Sequence, residues 1–164
     1  MANNISKRDT IIVKSIKEIF FSYREEFVVN DPSRLVKLEL YHTLGVNLEH
    51  KHVKFMLGVF YHYIGKEERL VELQVNNIFE LPQMNDYETE GTNIILPGEV
   101  LLDLVRESIA HARALLSVRL SGTLLAAVII PFEDPVPITN FFFPDLIRNK
   151  DGNISPVKGE LVDW

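Results

Sequence analysis

Apolar positions along this chain follow two spacings: alternation by two in its first half, and intervals of three and four after residue 97. From Ile11 a pattern rich in β-branched and aromatic residues runs through Ile16, Ile19 and Phe20 to Phe27-Val28-Val29. It predicts one long or bent strand, or two. Asn30-Asp31-Pro32-Ser33 is a turn by composition. From Arg34 to His42, Leu35, Lys37, Glu39 and Tyr41 alternate with the more apolar Val36, Leu38, Leu40 and His42, which predicts a strand. Thr43 to Lys51 is polar and holds Gly45 and Asn47, as a loop does. Val53 to Ile64 reads as the most apolar strand. Val53, Phe55, Leu57, Val59, Tyr61 and Tyr63 fall on one face; Lys54, Met56, Gly58, Phe60, His62 and Ile64 fall on the other. A strand apolar on both faces needs cover on both, and one helix covers one. Leu70 to Leu81 is its antiparallel partner through the Gly65–Glu68 turn.

Pro82 to Thr92 is polar, with an acidic run of Asp86, Glu88 and Glu90 that reads as a solvated loop. Pro97 opens a long helix, because proline at the first turn gives up only an N–H that would lack a partner anyway. Leu101, Leu104, Val105, Ser108, Ile109, Ala112, Leu115 and Leu116 form one stripe. The acids Glu99 and Asp103 come early and Arg113 and Arg119 late, in keeping with the helix dipole. Ser121-Gly122 stops the helix. Thr123 to Ile130 reads equally as strand or helix. Beyond Pro131, prolines at 135, 137, 144 and 156 surround Phe141-Phe142-Phe143, which argues against a long regular element. The expectation is α+β: a four-stranded antiparallel sheet with a long helix packed on one side. Residues 1–10 are a flexible N-terminus, 11–132 one domain, and 133–164 a Pro/Phe-rich wrap or tail.

Composition adds exclusions. With 164 residues, 46% hydrophobic and 24% charged, the chain suffices for one domain with a sizeable core. A net charge of −6 speaks against a broad nucleic-acid surface. Cysteine is absent, which removes disulfides, thiolate metal sites and cysteine nucleophiles. The start, Met1 to Thr10, is polar and leads only into Ile11-Ile12-Val13, unlike a signal peptide with its apolar run of roughly 7–15 residues. Leu124 to Ile130, the longest apolar run, is far below the roughly 20 residues of a membrane span. The expectation is a cytoplasmic protein without membrane insertion.

Chemistry-bearing residues are few. His50 and His52 put two imidazoles on one side of an extended segment, with no third metal ligand in sight, so they read as loop histidines. His42 and His62 read as partly buried strand residues. Ser108, His111 and Glu107 lie together on the helix without the elbow or oxyanion hole of a hydrolase. No enzyme, metal or cofactor is expected. Phe141, Phe142 and Phe143 are either an anchor for a partner or packing over the end of the core.

Several local strings resemble the SecB protein-export chaperones. Glu72-Leu73-Gln74-Val75-Asn76-Asn77-Ile78-Phe79-Glu80-Leu81 resembles that family's Glu-Val-Gln-x-x-Gly-Ile-Phe-Ser-Ile, and Asn93-Ile94-Ile95-Leu96-Pro97 its Asn-Ile-Leu-Phe-Pro. Val105-Arg106-Glu107-Ser108-Ile109, Gly122-Thr123, Pro131-Phe132 and Ile16-Lys17-Glu18-Ile19-Phe20 are similar to further family strings in the same order. The resemblance spans residues 12–132. It implies a SecB-like fold, a homo-oligomer (dimer or tetramer), and a holdase that binds unfolded or partly folded polypeptides in apolar grooves, with a possible role in export. Ile78, Phe79, Phe132, Phe141, Phe142 and Phe143 are its groove candidates. Leu70 and Glu72 match positions that dock on the SecA translocase motor, whereas Tyr23 and Phe27 stand where the family carries acids. The family's closing helix is replaced here by the Pro/Phe-rich end. These departures support an alternative, a SecB-fold adaptor with one dedicated partner, such as an antitoxin-type client.

Overall fold

Alternation by two becomes four long strands. They are β1 (Ile12–Tyr23), β2 (Val36–Asn47), β3 (His52–Tyr63) and β4 (Arg69–Glu80). The computed structural model describes residues 9–31, 33–91, 93–131, 134–144 and 157–160. All strand pairs are antiparallel, in the order β1-β4-β3-β2. The two most apolar strands, joined by the predicted hairpin, thus take the centre, and β1 and β2 take the edges. The Ile11–Val29 run is not one strand: β1 ends at Tyr23, and a single 3-10 turn at Glu25–Phe27 leads into the connection to β2. β2 continues through the segment expected to be a loop, with Gly45 opposite Lys54 and Asn47 opposite His52. The reversal falls later, where Lys51 takes φ 55° and His50 N–H donates to Asn47 Oδ1 at 2.9 Å.

One face of the sheet carries Val53, Phe55, Leu57, Val59 and Tyr61 of β3 and Val71, Leu73, Val75, Asn77 and Phe79 of β4, all without solvent exposure. Helix α1 (Gly98–Arg119) lies on this face and contributes Leu101, Leu104, Val105, Ile109, Ala112 and Leu116 to the same core. Pro97 caps it in an extended conformation, and Gly122, at φ +80°, turns the chain away just past its end. Asn77 is the polar exception. Its Nδ2 donates to the Phe55 carbonyl at 3.2 Å, and its Oδ1 lies 2.8 Å from His111 Nδ1 on α1, so that nitrogen carries the proton.

The proline-rich end does form a helix, α2 (Pro135–Phe142). Pro135 and Pro137 occupy its first turn, where a missing N–H costs nothing, and the Asp134 carboxylate accepts from Val136 N–H at 3.0 Å. α2 packs beside α1 and over β2. A small second sheet joins β5 (Thr89–Glu90), β6 (Asn93–Leu96) and β7 (Val157–Glu160). The segment from Thr123 to Ile130 is neither strand nor helix but successive turns. Residues 1–8, the 132/133 boundary and most of the tail lie outside the described residues.

Among the described residues, no helix lies over the sheet's other face. Cover comes from the face's own side chains. The Tyr41 ring lies across Gly58, so close that a Cβ there would fall 1.7 Å from Tyr41 Cε1. Tyr41 stacks on Phe60 with centroids 4.8 Å apart, and the Arg69 guanidinium sits 3.6 Å over the Phe60 ring. Arg69 donates in turn to Glu72 Oε2 at 3.0 Å, and Gln74 donates to Oε1 at 3.1 Å. Tyr41, Phe60 and Arg69 therefore cover the middle of that face within the chain, while Ile64 at its end stays exposed.

Candidate functional site

β2 is an edge strand, hydrogen-bonded within its sheet to β3 alone. Alternation sends Leu38 and Leu40 to the helix side and Lys37, Glu39 and Tyr41 to the other, so both sets meet at the strand's outer margin. The chain returning from α1 (Ile130, Pro131) and helix α2 (Pro137, Ile138, Phe141) rise beside that margin. Between them runs an open groove of about 720 Å³, with Phe60 completing it. Its walls are mainly apolar. Lys37 and Glu39 rim it, 2.7 Å apart, and the lysine holds the Glu39 carboxyl below the usual carboxylate range.

α2 is held in place by a ring cluster. His42 of β2 meets Phe142 at 4.3 Å, Phe143 at 4.8 Å and Phe55 at 5.7 Å between centroids. Burial among these rings lowers the His42 pKa. The three consecutive phenylalanines therefore divide their work. Phe142 and Phe143 are buried anchors; Phe141 is 71% exposed and points into the groove.

The remaining candidates scatter. Phe79 is fully buried, part of the core between sheet and α1, so it is not a groove residue. Ile78 is half-buried on the opposite face. Phe132 lies outside the described residues. Leu70 is 1% exposed and gives a docking partner nothing to touch, because β4 turns it inward at the strand start. Glu72 is half-buried and already engaged by Arg69 and Gln74. Leu38, Leu40, Tyr41, Phe60, Ile130 and Ile138 line the groove without having been singled out. Their apolar character was plain, but nothing local marks a strand as an edge.

The His50 and His52 rings lie 5.8 Å apart, and the described residues contain no group of three or more metal-ligating side chains. Ser108 is buried with no hydrogen-bond partner for its Oγ among the described residues, while His111 faces Asn77. No helix among the described residues is long and apolar enough to cross a membrane.

Edge strands elsewhere carry a second apolar surface. On β1, Ile12, Val13, Ile16, Ile19 and Phe20 are each 40–46% exposed, and register shifts near Lys14 and Ile19 bend the strand.

No protein-family model matches the chain, and no curated protein does. Among solved structures it is similar to the Mycobacterium tuberculosis SecB-like chaperone Rv1957, in complex with a ChAD peptide from the HigA1 antitoxin Rv1956. The match has 11% identity and a TM-score of 0.46, over 76% of this chain and 86% of that one. The four antiparallel strands followed by a long helix on one side are the α+β arrangement that the sequence strings imply.

Proposed function

We propose that this chain is a SecB-like holdase, which keeps unfolded or partly folded polypeptides soluble by binding them along β2 and α2. The groove of about 720 Å³ carries the reading. An extended polypeptide laid there meets the outer backbone of β2, which offers strand pairing, and apolar walls, which offer side-chain burial. Each large apolar side chain so buried contributes roughly 1.5–3 kcal/mol before ordering costs, with little dependence on sequence. No bond is made or broken in such work.

The exposed apolar row on β1 supports a homo-oligomer, dimer or tetramer, because a bare edge of that kind needs a cover. A cytoplasmic location goes with the proposal. Export through the SecA motor draws little support from the matched positions, since Leu70 is core and Glu72 is engaged. A second reading, the adaptor with one dedicated partner, is favoured by Tyr23 and Phe27 standing where the family pattern has acids. Competition separates the two: unrelated unfolded chains displace a bound client from a holdase, and only one partner displaces it from an adaptor.

The direct test is Phe141→Asp in an aggregation-suppression assay on a chemically unfolded protein. The substitution puts a carboxylate into the groove at an exposed position, so the melting curve stays as it was. The concentration needed for half-suppression rises about tenfold, the equivalent of about 1.4 kcal/mol. A variant that folds and suppresses like the parent removes the groove from the account.

A further inference from the structure

A second cavity, of about 390 Å³, lies between the C-terminal half of α1 and the segment that returns from it. Ala110, Arg113, Ala114 and Ser117 stand on one helical stripe and form its roof. Val128, Ile129 and Ile130 form the opposite wall, and Tyr61 of β3 reaches up from the sheet. The Tyr61 hydroxyl donates to the Val128 carbonyl at 3.1 Å. That bond holds the wall in place and leaves the hydroxyl oxygen only as an acceptor.

Arg113 is the one charged residue lining the cavity. Other arginines on the same helix are engaged: Arg106 pairs with Asp103 and Glu107, and Arg119 makes a two-pronged contact with Glu18 at 2.6 and 3.0 Å. Arg113 forms no ion pair among the described residues, in a chain with 23 acids against 17 bases. Arg113 is half-buried beside apolar walls, and its planar fork suits a carboxylate. Ser117, one turn on, adds a hydroxyl donor on the same wall. The small side chains of Ala110, Ala114 and Ala126 leave the space that a ligand stem fills.

We propose that this cavity binds a carboxylate on a short apolar stem, the acidic side chain of a held polypeptide, with Arg113 as its ion-pair partner and Ser117 as a second donor. Ile130 walls both this cavity and the β2 groove, which sets the two side by side. The source of the carboxylate rests on the holdase reading; the cavity and its chemistry do not. The consequence is selectivity: among apolar segments, those with a glutamate or aspartate beside large apolar residues bind best.

Two arms of one experiment keep these apart. In the first, the full chain is titrated with hexanoate and, separately, with hexanamide, and the amide resonances of Ala114 and Ser117 are followed by NMR. Hexanoate shifts them saturably, hexanamide does not, and the hexanoate response is lost in Arg113→Gln. Equal responses to both probes, no response to hexanoate, or a response that survives R113Q overturns the proposal. In the second arm, two labelled apolar peptides that differ by one Glu→Gln change are compared by fluorescence anisotropy at low salt. The glutamate peptide binds about three- to tenfold tighter, and the preference disappears in R113Q and at high salt. Failure of both peptides to bind while hexanoate still does rejects the holdase reading and leaves the carboxylate site standing. Equal binding of the two peptides contradicts the selectivity.

Discussion

Gly58 sits mid-strand, where glycine normally weakens a sheet, because the Tyr41 ring occupies the volume a side chain would take. The neighbouring strand fills the gap with an aromatic, and Phe60 and Arg69 continue the layer. Gly58→Ala must displace that ring and costs about 1–3 kcal/mol, measurable by urea unfolding. In a Tyr41→Ala background the same substitution costs much less; an equal cost in both backgrounds rejects the clash. At this scale the sequence was half legible. Gly58 and Phe60 were correctly placed on the second face of β3, but that Tyr41 lay across them depended on the pairing register of β2, which no local pattern states. Two histidines make a second prediction. Burial lowers the pKa of both His42 and His111 from the ordinary 6.5, so the fold holds their neutral forms. The unfolded chain binds the protons first. Stability is therefore full above about pH 6.5 and falls on acidification toward the lowered values, by no more than about 1.4 kcal/mol per pH unit for each histidine. Chemical denaturation across pH 7.5 to 5 checks this, and His42→Phe shallows the slope. A pH-independent midpoint over that range contradicts it.

Among the elements, α2 separates composition from position. Proline density argued against a long regular element, and α2 is short: Pro135 and Pro137 fall in its first turn, where proline is tolerated, and Asp134 supplies the cap. The helix is short enough to avoid any interior proline. Its place on β2 depends on Phe142 and Phe143 around His42, whereas Phe141 faces outward. Phe142→Ala should therefore cost about 3 kcal/mol or more of stability and Phe141→Ala less than about 0.5. Thermal melts of the two variants check the division, and equal losses refute it. The long strands and α1 were legible because their apolar spacing is sustained over many residues. β2 overran its expected end because Gly45 and Asn47 resemble a loop in isolation and are held in the ladder by Lys54 and His52. The apolar Thr123–Ile130 run resolves as turns closed by its own backbone, Ala126 N–H to the Thr123 carbonyl and Val128 N–H to the Leu125 carbonyl, with Tyr61 bonding the Val128 carbonyl from outside.

For the molecule as a whole, one sheet face is buried under α1 and α2, and the middle of the other is covered by its own aromatic and charged side chains. Apolar surface stays open along β1 and at β2 beside α2, and also at Leu35, Ile64, Val118, Leu124 and Ile129. Apolar residues exposed along both margins are the kind of surface that contacts between chains use, and the proposed holdase rests on them. The sequence showed that β3 was too apolar for one helix to cover. The chain itself covers the middle of that second face with Tyr41, Phe60 and Arg69. The resemblance strings fell mostly in β4 and α1, the buried centre, which is why they carried the architecture well and the groove poorly. The central claim, that these margins hold unfolded chains in an oligomer, is tested most directly by measuring solution mass by light scattering on the sample used for aggregation suppression. The account predicts a dimer or tetramer that keeps an unfolded test protein soluble near stoichiometric amounts. A monomer that suppresses nothing would contradict it.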